Sequence, residues 1–251
     1  MTARAPGSVP PPSSDWPAPP SEVRLDAGEV QVWRASLAAP AALRARLRAT
    51  LADDERARAD RFVAHVHRDR FVVARAFLRA VLGRLLAIPP DAVRFRYEAA
   101  GKPRTDMLRF NLSPSGALAL LAVTRDREVG VDVEELRAVT DAEALAERFF
   151  APGETERLRS LDPAARDAAF LRCWTLKEAY VKAVGEGLGL PLDRFEVGYV
   201  PVVPSPALRL LDESPDDGRW ALRTLEPGPG YVGALAAEGQ GFRLTSYQWS
   251  P

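Results

Sequence analysis

Two stretches carry residue types that could do chemistry together: Gly130-Val131-Asp132-Val133-Glu134, and Trp174-Thr175-Leu176-Lys177-Glu178-Ala179-Tyr180-Val181-Lys182. The first reads as a strand, in which Val129, Val131 and Val133 pack inward while Gly130, Asp132 and Glu134 face the other way. Solvated acids on a half-exposed hairpin explain that strand as well as a site does. Gly130 favours the site, because a bulky ligand could approach the backbone there. The second stretch reads as a helix with Glu178 and Lys182 on one face, which alone is an ordinary surface ion pair. Three hard-oxygen carboxylates beside an ammonium together suit Mg²⁺ and a phosphate-bearing substrate.

Weaker candidates surround this pair. Ala100-Gly101-Lys102-Pro103 reads as a turn with a projecting lysine, either a nucleotide edge or a plain surface turn. Phe110-Asn111-Leu112-Ser113-Pro114-Ser115 puts two hydroxyls and an amide at a strand end, where turn chemistry is the competing explanation. Gly185-Glu186-Gly187-Leu188-Gly189 closes a helix rather than opening one after a strand, so it reads as a cap and tight turn and not a dinucleotide fingerprint. His65 and His67 have no matching metal-ligand partner and receive no role. Cys173 reads as a small buried hydrophobe.

The elements that must position these residues follow from periodicity. Met1 to about Ser21, rich in Pro, Ser and Ala, reads as a flexible leader. Val30 to Trp33 alternates as a strand. Leu43, Leu47 and Leu51 mark a short helix, and a longer one runs from Arg68 to Ala87 until Pro89-Pro90 stops it. Strands are expected at 93–97, 108–112, 118–123 and 129–135. The polar 125–128 connection predicts a hairpin between the last two. Phe170, Leu171, Trp174, Val181 and Val184 line a helix that Gly185 ends. Further strands are expected at 195–200, 222–225 and 231–236. An internal echo pairs Arg61–Ala64 with Arg148–Ala151, and Ala76–Arg79 with Ala169–Arg172. It predicts two similar α+β halves, 22–124 and 125–251 after a leader at 1–21, with a ligand cleft between them.

Composition narrows the class. The 251 residues include 34 basic and 34 acidic side chains, a formal net charge of zero that argues against a nucleic-acid partner. Hydrophobic content of 47% and charged content of 27% are those of a soluble globular protein. A single cysteine fits a reducing compartment, and no apolar run approaches the ~20 residues a membrane span needs. A cytoplasmic monomer with no membrane partner is expected.

At this spacing the blocks resemble the surfactin-synthetase-activating (Sfp-like) family of 4′-phosphopantetheinyl transferases, from about Ala59 to Tyr199. Gly101-Lys102-Pro103, Phe110-Asn111-Leu112-Ser113, Gly130 to Glu134, Arg148-Phe149-Phe150, Trp174 to Lys182 and Gly185 to Leu188 appear in family order. The resemblance implies an α+β fold of two pseudo-twofold-related halves, each a small, mainly antiparallel sheet packed with helices, with coenzyme A bound between them. It implies transfer of 4′-phosphopantetheine from coenzyme A to a serine of an apo acyl or peptidyl carrier protein, releasing adenosine 3′,5′-bisphosphate. Mg²⁺ would be held by Asp132, Glu134 and Glu178, with Asp132, Glu178 and Lys182 forming the catalytic set. Either Glu178 or a Mg²⁺-bound water would take the serine proton. Lys102 and Pro103 would border the adenine, Arg58, Arg70 and Arg75 would hold the 3′-phosphate, and Ser113 and Lys177 would complete the coenzyme A contacts.

One departure stands out. The family's Asn-Leu-Ser block usually continues with a histidine that contacts a phosphate, and this chain has Pro114 there, with neither donor nor charge. Weaker coenzyme A binding, or substitution by an arginine, would follow. Two rival classes are a coenzyme A-binding regulator without catalysis and a three-carboxylate Mg-dependent nuclease. Zero net charge weighs against the nuclease.

Overall fold

The computed structural model describes residues 16–97, 101–186, 189–200, 202–211 and 218–251. In chain order the elements are β1 (Glu29–Ser36), α1 (Ala41–Ala49), α2 (Asp53–Asp60), α3 (His65–Leu86), β2 (Arg96–Tyr97), β3 (Pro103–Arg104), β4 (Arg109–Ser115), β5 (Leu118–Thr124) and β6 (Val129–Glu135). There follow α4 (Ala142–Phe149), α5 (Pro152–Arg159), α6 (Pro163–Val184), β7 (Phe195–Val197), β8 (Leu208–Leu210), β9 (Trp220–Leu225), β10 (Tyr231–Glu238) and β11 (Arg243–Gln248). Among the described residues no helix is long and apolar enough to cross a membrane.

Strand alternation produces two main sheets, ordered β11-β1-β5-β4 and β6-β10-β9, beside the two-stranded pairs β2-β3 and β7-β8. Val30, Val32, Leu120 and Ala122 of the first pack on Val129, Val131, Val133 and Leu235 of the second, so the sheets lie face to face. The other face of the first sheet, with Trp33, Leu121 and Val123, is covered by Phe77, Leu78 and Val81 of α3. The other face of the second, with Ala234 and Ala236, is covered by Leu176, Ala179 and Ala183 of α6. The result is an α+β molecule of four layers, helix, sheet, sheet, helix.

α6 begins where Pro163 takes the first helical position and the Asp162 side chain accepts from Ala164 N at 2.9 Å. It ends at Gly185, whose φ of 85° is left-handed. Between these ends it lies almost on the backbone of β6. A Cβ built at Gly130 would stand 2.1 Å from Ala179 O and 2.3 Å from Ala183 N. The glycine therefore admits a helix, not a ligand, and that expectation is corrected.

The two long helices are anchored alike. Glu55 reaches back to Ala52 N (2.9 Å) and Glu154 to Ala151 N (3.0 Å), each capping the start of a short helix. Glu55 pairs with Arg79 at 2.5 Å and Glu154 with Lys177 at 2.7 Å, all four side chains being buried. Arg79 donates to Pro90 O and Val93 O, as Lys177 does to Leu192 O and Phe195 O. Both helices have 22 residues, and the two cations occupy the same position counted from the start.

The internal likeness thus equates α2 with α5, not the stretches the sequence echo paired. Arg61–Ala64 follows α2, whereas Arg148–Ala151 precedes α5. Three further expectations change. β5 and β6 form no hairpin, because both edges of β5 are taken by β1 and β4 and β6 pairs with β10. The strands expected at 93–97 and 195–200 shorten to β2 and β7. The leader is expected to be flexible through Ser21, but Trp16 is buried and donates to Glu226 O at 2.8 Å, and Pro17 O accepts from Gln248 N. Residues 1–15 lie outside the described residues.

Gly130→Ala should destabilise the protein by about 3 kcal/mol or more, since the clashing atoms are helix backbone and cannot rotate away. Denaturant unfolding of the two proteins measures it.

Candidate functional site

β4 and β6 come side by side without a backbone ladder, and side chains bridge the gap. Strand alternation puts Asn111, Ser113 and Ser115 on one face of β4. Val131 N donates to Asn111 Oδ1 at 2.9 Å, Ser113 Oγ to Asp132 Oδ1 at 2.7 Å, and Ser115 Oγ to Glu134 Oε2 at 2.8 Å. Glu135 N donates to Ser115 Oγ at 3.2 Å. These residues are expected at a strand end, with turn chemistry as the competing explanation; they lie within β4, and their period-two spacing is the signal of a strand face.

α6 brings the remaining groups to this seam. Lys182 Nζ lies 2.5 Å from Asp132 Oδ1 and 3.2 Å from Ser113 Oγ. Two donors therefore share one oxygen of Asp132. The other, Oδ2, is buried with no hydrogen-bond partner among the described residues. An unpartnered carboxylate oxygen in a residue only 3% exposed is costly unless a cation or donor meets it.

The flanking acids feel the same crowding. Burial raises the proton affinity of Glu178 above the ordinary carboxylate range; Lys182 opposes this, and the charges of Asp132 and Glu134 add to it. Burial likewise raises Glu134, reinforced by Asp132 and opposed by the Ser115 hydrogen bond, Arg137 and Lys182. A divalent cation would relieve that repulsion, and hard oxygens with an orphaned buried member fit Mg²⁺. Among the described residues no three such side chains converge as a ready-made cage, because Lys182 and Ser113 occupy Asp132 Oδ1 and Ser115 holds Glu134. A phosphate and water would have to complete the shell, which is usual for Mg²⁺.

Other expected contacts divide. Lys102 does not project: it is buried, and Nζ donates to Val129 O (3.2 Å), Ala183 O (3.0 Å) and Glu128 Oε2 (3.2 Å). It ties the start of β6 to the end of α6. Lys177 is fully buried on Glu154, so it is an anchor of the core and not a ligand contact. Ser113 spends its hydroxyl on Asp132. Ala100, Gly187 and Leu188 lie outside the described residues.

Pro103 and the arginines face open space. A cavity of about 240 Å³ is bordered by Pro103, Tyr97, Phe71, Arg58 and Arg75. A second, of about 480 Å³, shares Arg58, Phe71 and Arg75 and adds Arg70, His67 and Pro114. Arg58 stacks on the Phe71 ring at 5.3 Å, and Arg75 is bonded to Glu55. A third cavity of about 410 Å³, between α6 and the ends of β9 and β10, touches none of Asp132, Glu134 and Glu178.

Residues 128–232 match the model of the 4′-phosphopantetheinyl transferase superfamily. The chain is 41% identical to the 4′-phosphopantetheinyl transferase HetI of Nostoc sp., over 91% of this chain and 95% of that protein. It is 28% identical to the 4′-phosphopantetheinyl transferase Sfp of Bacillus subtilis, over 74% and 82%. The holo-[acyl-carrier-protein] synthase of Thermotoga maritima overlays with a TM-score of 0.37 at 23% identity, covering 45% of this chain and 64% of that one.

Lys177→Ala should cost about 3–5 kcal/mol of stability, by stranding the Glu154 charge in the core. Any folded fraction, isolated by size-exclusion chromatography, should bind nucleotide ligands with unchanged affinity.

Proposed function

This chain belongs to the 4′-phosphopantetheinyl transferase superfamily, and we propose that the β4–β6 seam is where it transfers 4′-phosphopantetheine from coenzyme A to a carrier-protein serine. The observation that carries this assignment is Asp132, buried, doubly held on Oδ1 and bare on Oδ2. Asp132, Glu134 and Glu178 would hold Mg²⁺, which when bound neutralises charge on a diphosphate.

The protein's own groups do the rest. The cavity bordered by Pro103 and Tyr97 takes the adenine, and Arg58 and Arg70 grip the 3′-phosphate, since guanidinium binds phosphate bidentately, while Arg75, whose donor edge is held by Glu55, lines the cavity between them. Glu178, the carboxylate that α6 brings to the seam beside Lys182, accepts the serine proton. The serine oxygen bonds to the β-phosphorus while the bond from that phosphorus to the bridging oxygen breaks. The electron pair departs with adenosine 3′,5′-bisphosphate. Lys182, about a third exposed, donates to that leaving phosphate as charge builds on it. Acceptors are acyl or peptidyl carrier domains.

Asp132→Ala and Glu178→Ala should each lower transfer by roughly 10²–10⁴-fold while circular dichroism stays that of the parent. Glu134→Ala should be milder, because a water can replace one Mg²⁺ ligand. Intact-mass measurement of an apo carrier incubated with coenzyme A and Mg²⁺ gives the rates. Near-parent turnover by folded Asp132→Ala would remove the seam from the reaction.

A further inference from the structure

Of the two histidines, one enters the cationic cavity. His67, Arg70, Phe71 and Ala74 lie on one face of the first turns of α3, and all four line the space of about 480 Å³ with Arg58 and Pro114. No carboxylate lines it among the described residues. Arg58 and Arg70 have no carboxylate partner among those residues either. The neighbouring 240 Å³ space shares Arg58 and Arg75, but there Arg75 is spent on Glu55 and the exposed Asp54 at its border would repel a dianion. Charge therefore sorts a ligand between the two, a neutral base toward the acids and a phosphate monoester toward Arg58 and Arg70.

We propose that His67 is a phosphate-binding residue of this chain, donating from α3 to the 3′-phosphate of coenzyme A in the cavity that Pro114 also borders. The inference rests on the transferase reading. Guanidinium groups supply charge and paired donors, and the imidazole N–H adds one directed donor to an acceptor-rich monoester. A proline on β4 costs this chain little, because the donor arrives from α3 instead.

Calorimetric titration with coenzyme A and with 3′-dephospho-coenzyme A tests it. His67→Ala should weaken coenzyme A binding roughly tenfold or more, and change dephospho-coenzyme A binding less than about twofold. Pro114→His in the His67→Ala background should recover most of the loss, since it returns a donor to the same cavity. Being solvent-exposed, His67 can be replaced without disturbing the core. Equal losses for both ligands, or unchanged coenzyme A affinity in His67→Ala, would overturn the proposal and leave the transferase reading standing. No binding of coenzyme A by the parent protein would overturn both.

Discussion

α6 rests on the bare backbone of β6 at Gly130, and the geometry of the site descends from that contact. With a side chain at 130 the helix would have to lift, carrying Lys182 away from Asp132 and Glu178 away from the seam. The approach is held from two sides. Lys102 bonds a carbonyl of each element, Val129 O and Ala183 O, and Ala179 and Ala183 present only small side chains to the strand. Close packing thus does the positioning, and the charged groups follow it.

A second constraint sets how the long helices are rotated against their surroundings. Each is clamped near its C-terminal third by a buried cation that meets a glutamate from a preceding short helix and two carbonyls beyond the helix end. Such a clamp adds little net stability over an apolar substitute, because desolvating both ions offsets their attraction. Its effect is specificity: only one rotation of α3 or α6 lets the cation reach all its partners. One half uses arginine with two guanidinium contacts, Arg75 and Arg79, and the other a single lysine. The same clamp is thus built from different cations on α3 and α6.

Much of this was legible in the sequence. The β6 carboxylates, the Glu178–Lys182 spacing and the helix stop at Gly185 all follow from local periodicity and appear where expected. What was not legible required knowing which surfaces meet. Lys102 and Lys177 read as projecting or ligand-facing lysines because nothing local reveals a ring of carbonyls closing around an ammonium. Gly130 suggests a ligand against the backbone, but what approaches it is α6, which no local pattern around the strand reveals. The β5–β6 hairpin failed for the same reason: a short polar connection predicts a turn, while strand pairing is decided by distant partners that occupy the edges first. His67 reads as a residue without a partner because its neighbours Arg70, Phe71 and Ala74, spread over about two turns of α3, share a cavity with Arg58 and Pro114 only once α3 packs on the sheet.

The first sheet contains a strand that the chain reaches last. β11 pairs in parallel with β1, Arg243 and Thr245 close on Glu29 across 214 and 216 residues, and Trp249 sets its ring 5.3 Å from Phe77. On a ribosome, β1 must therefore wait with one edge open until nearly all the described chain has emerged. Local helices can form early, but closing so long a loop is entropically slow and comes near the end of folding. An exposed β1 edge is also a template for pairing with other chains during that interval. A fragment that stops before β11 would therefore leave the β1 edge open for good.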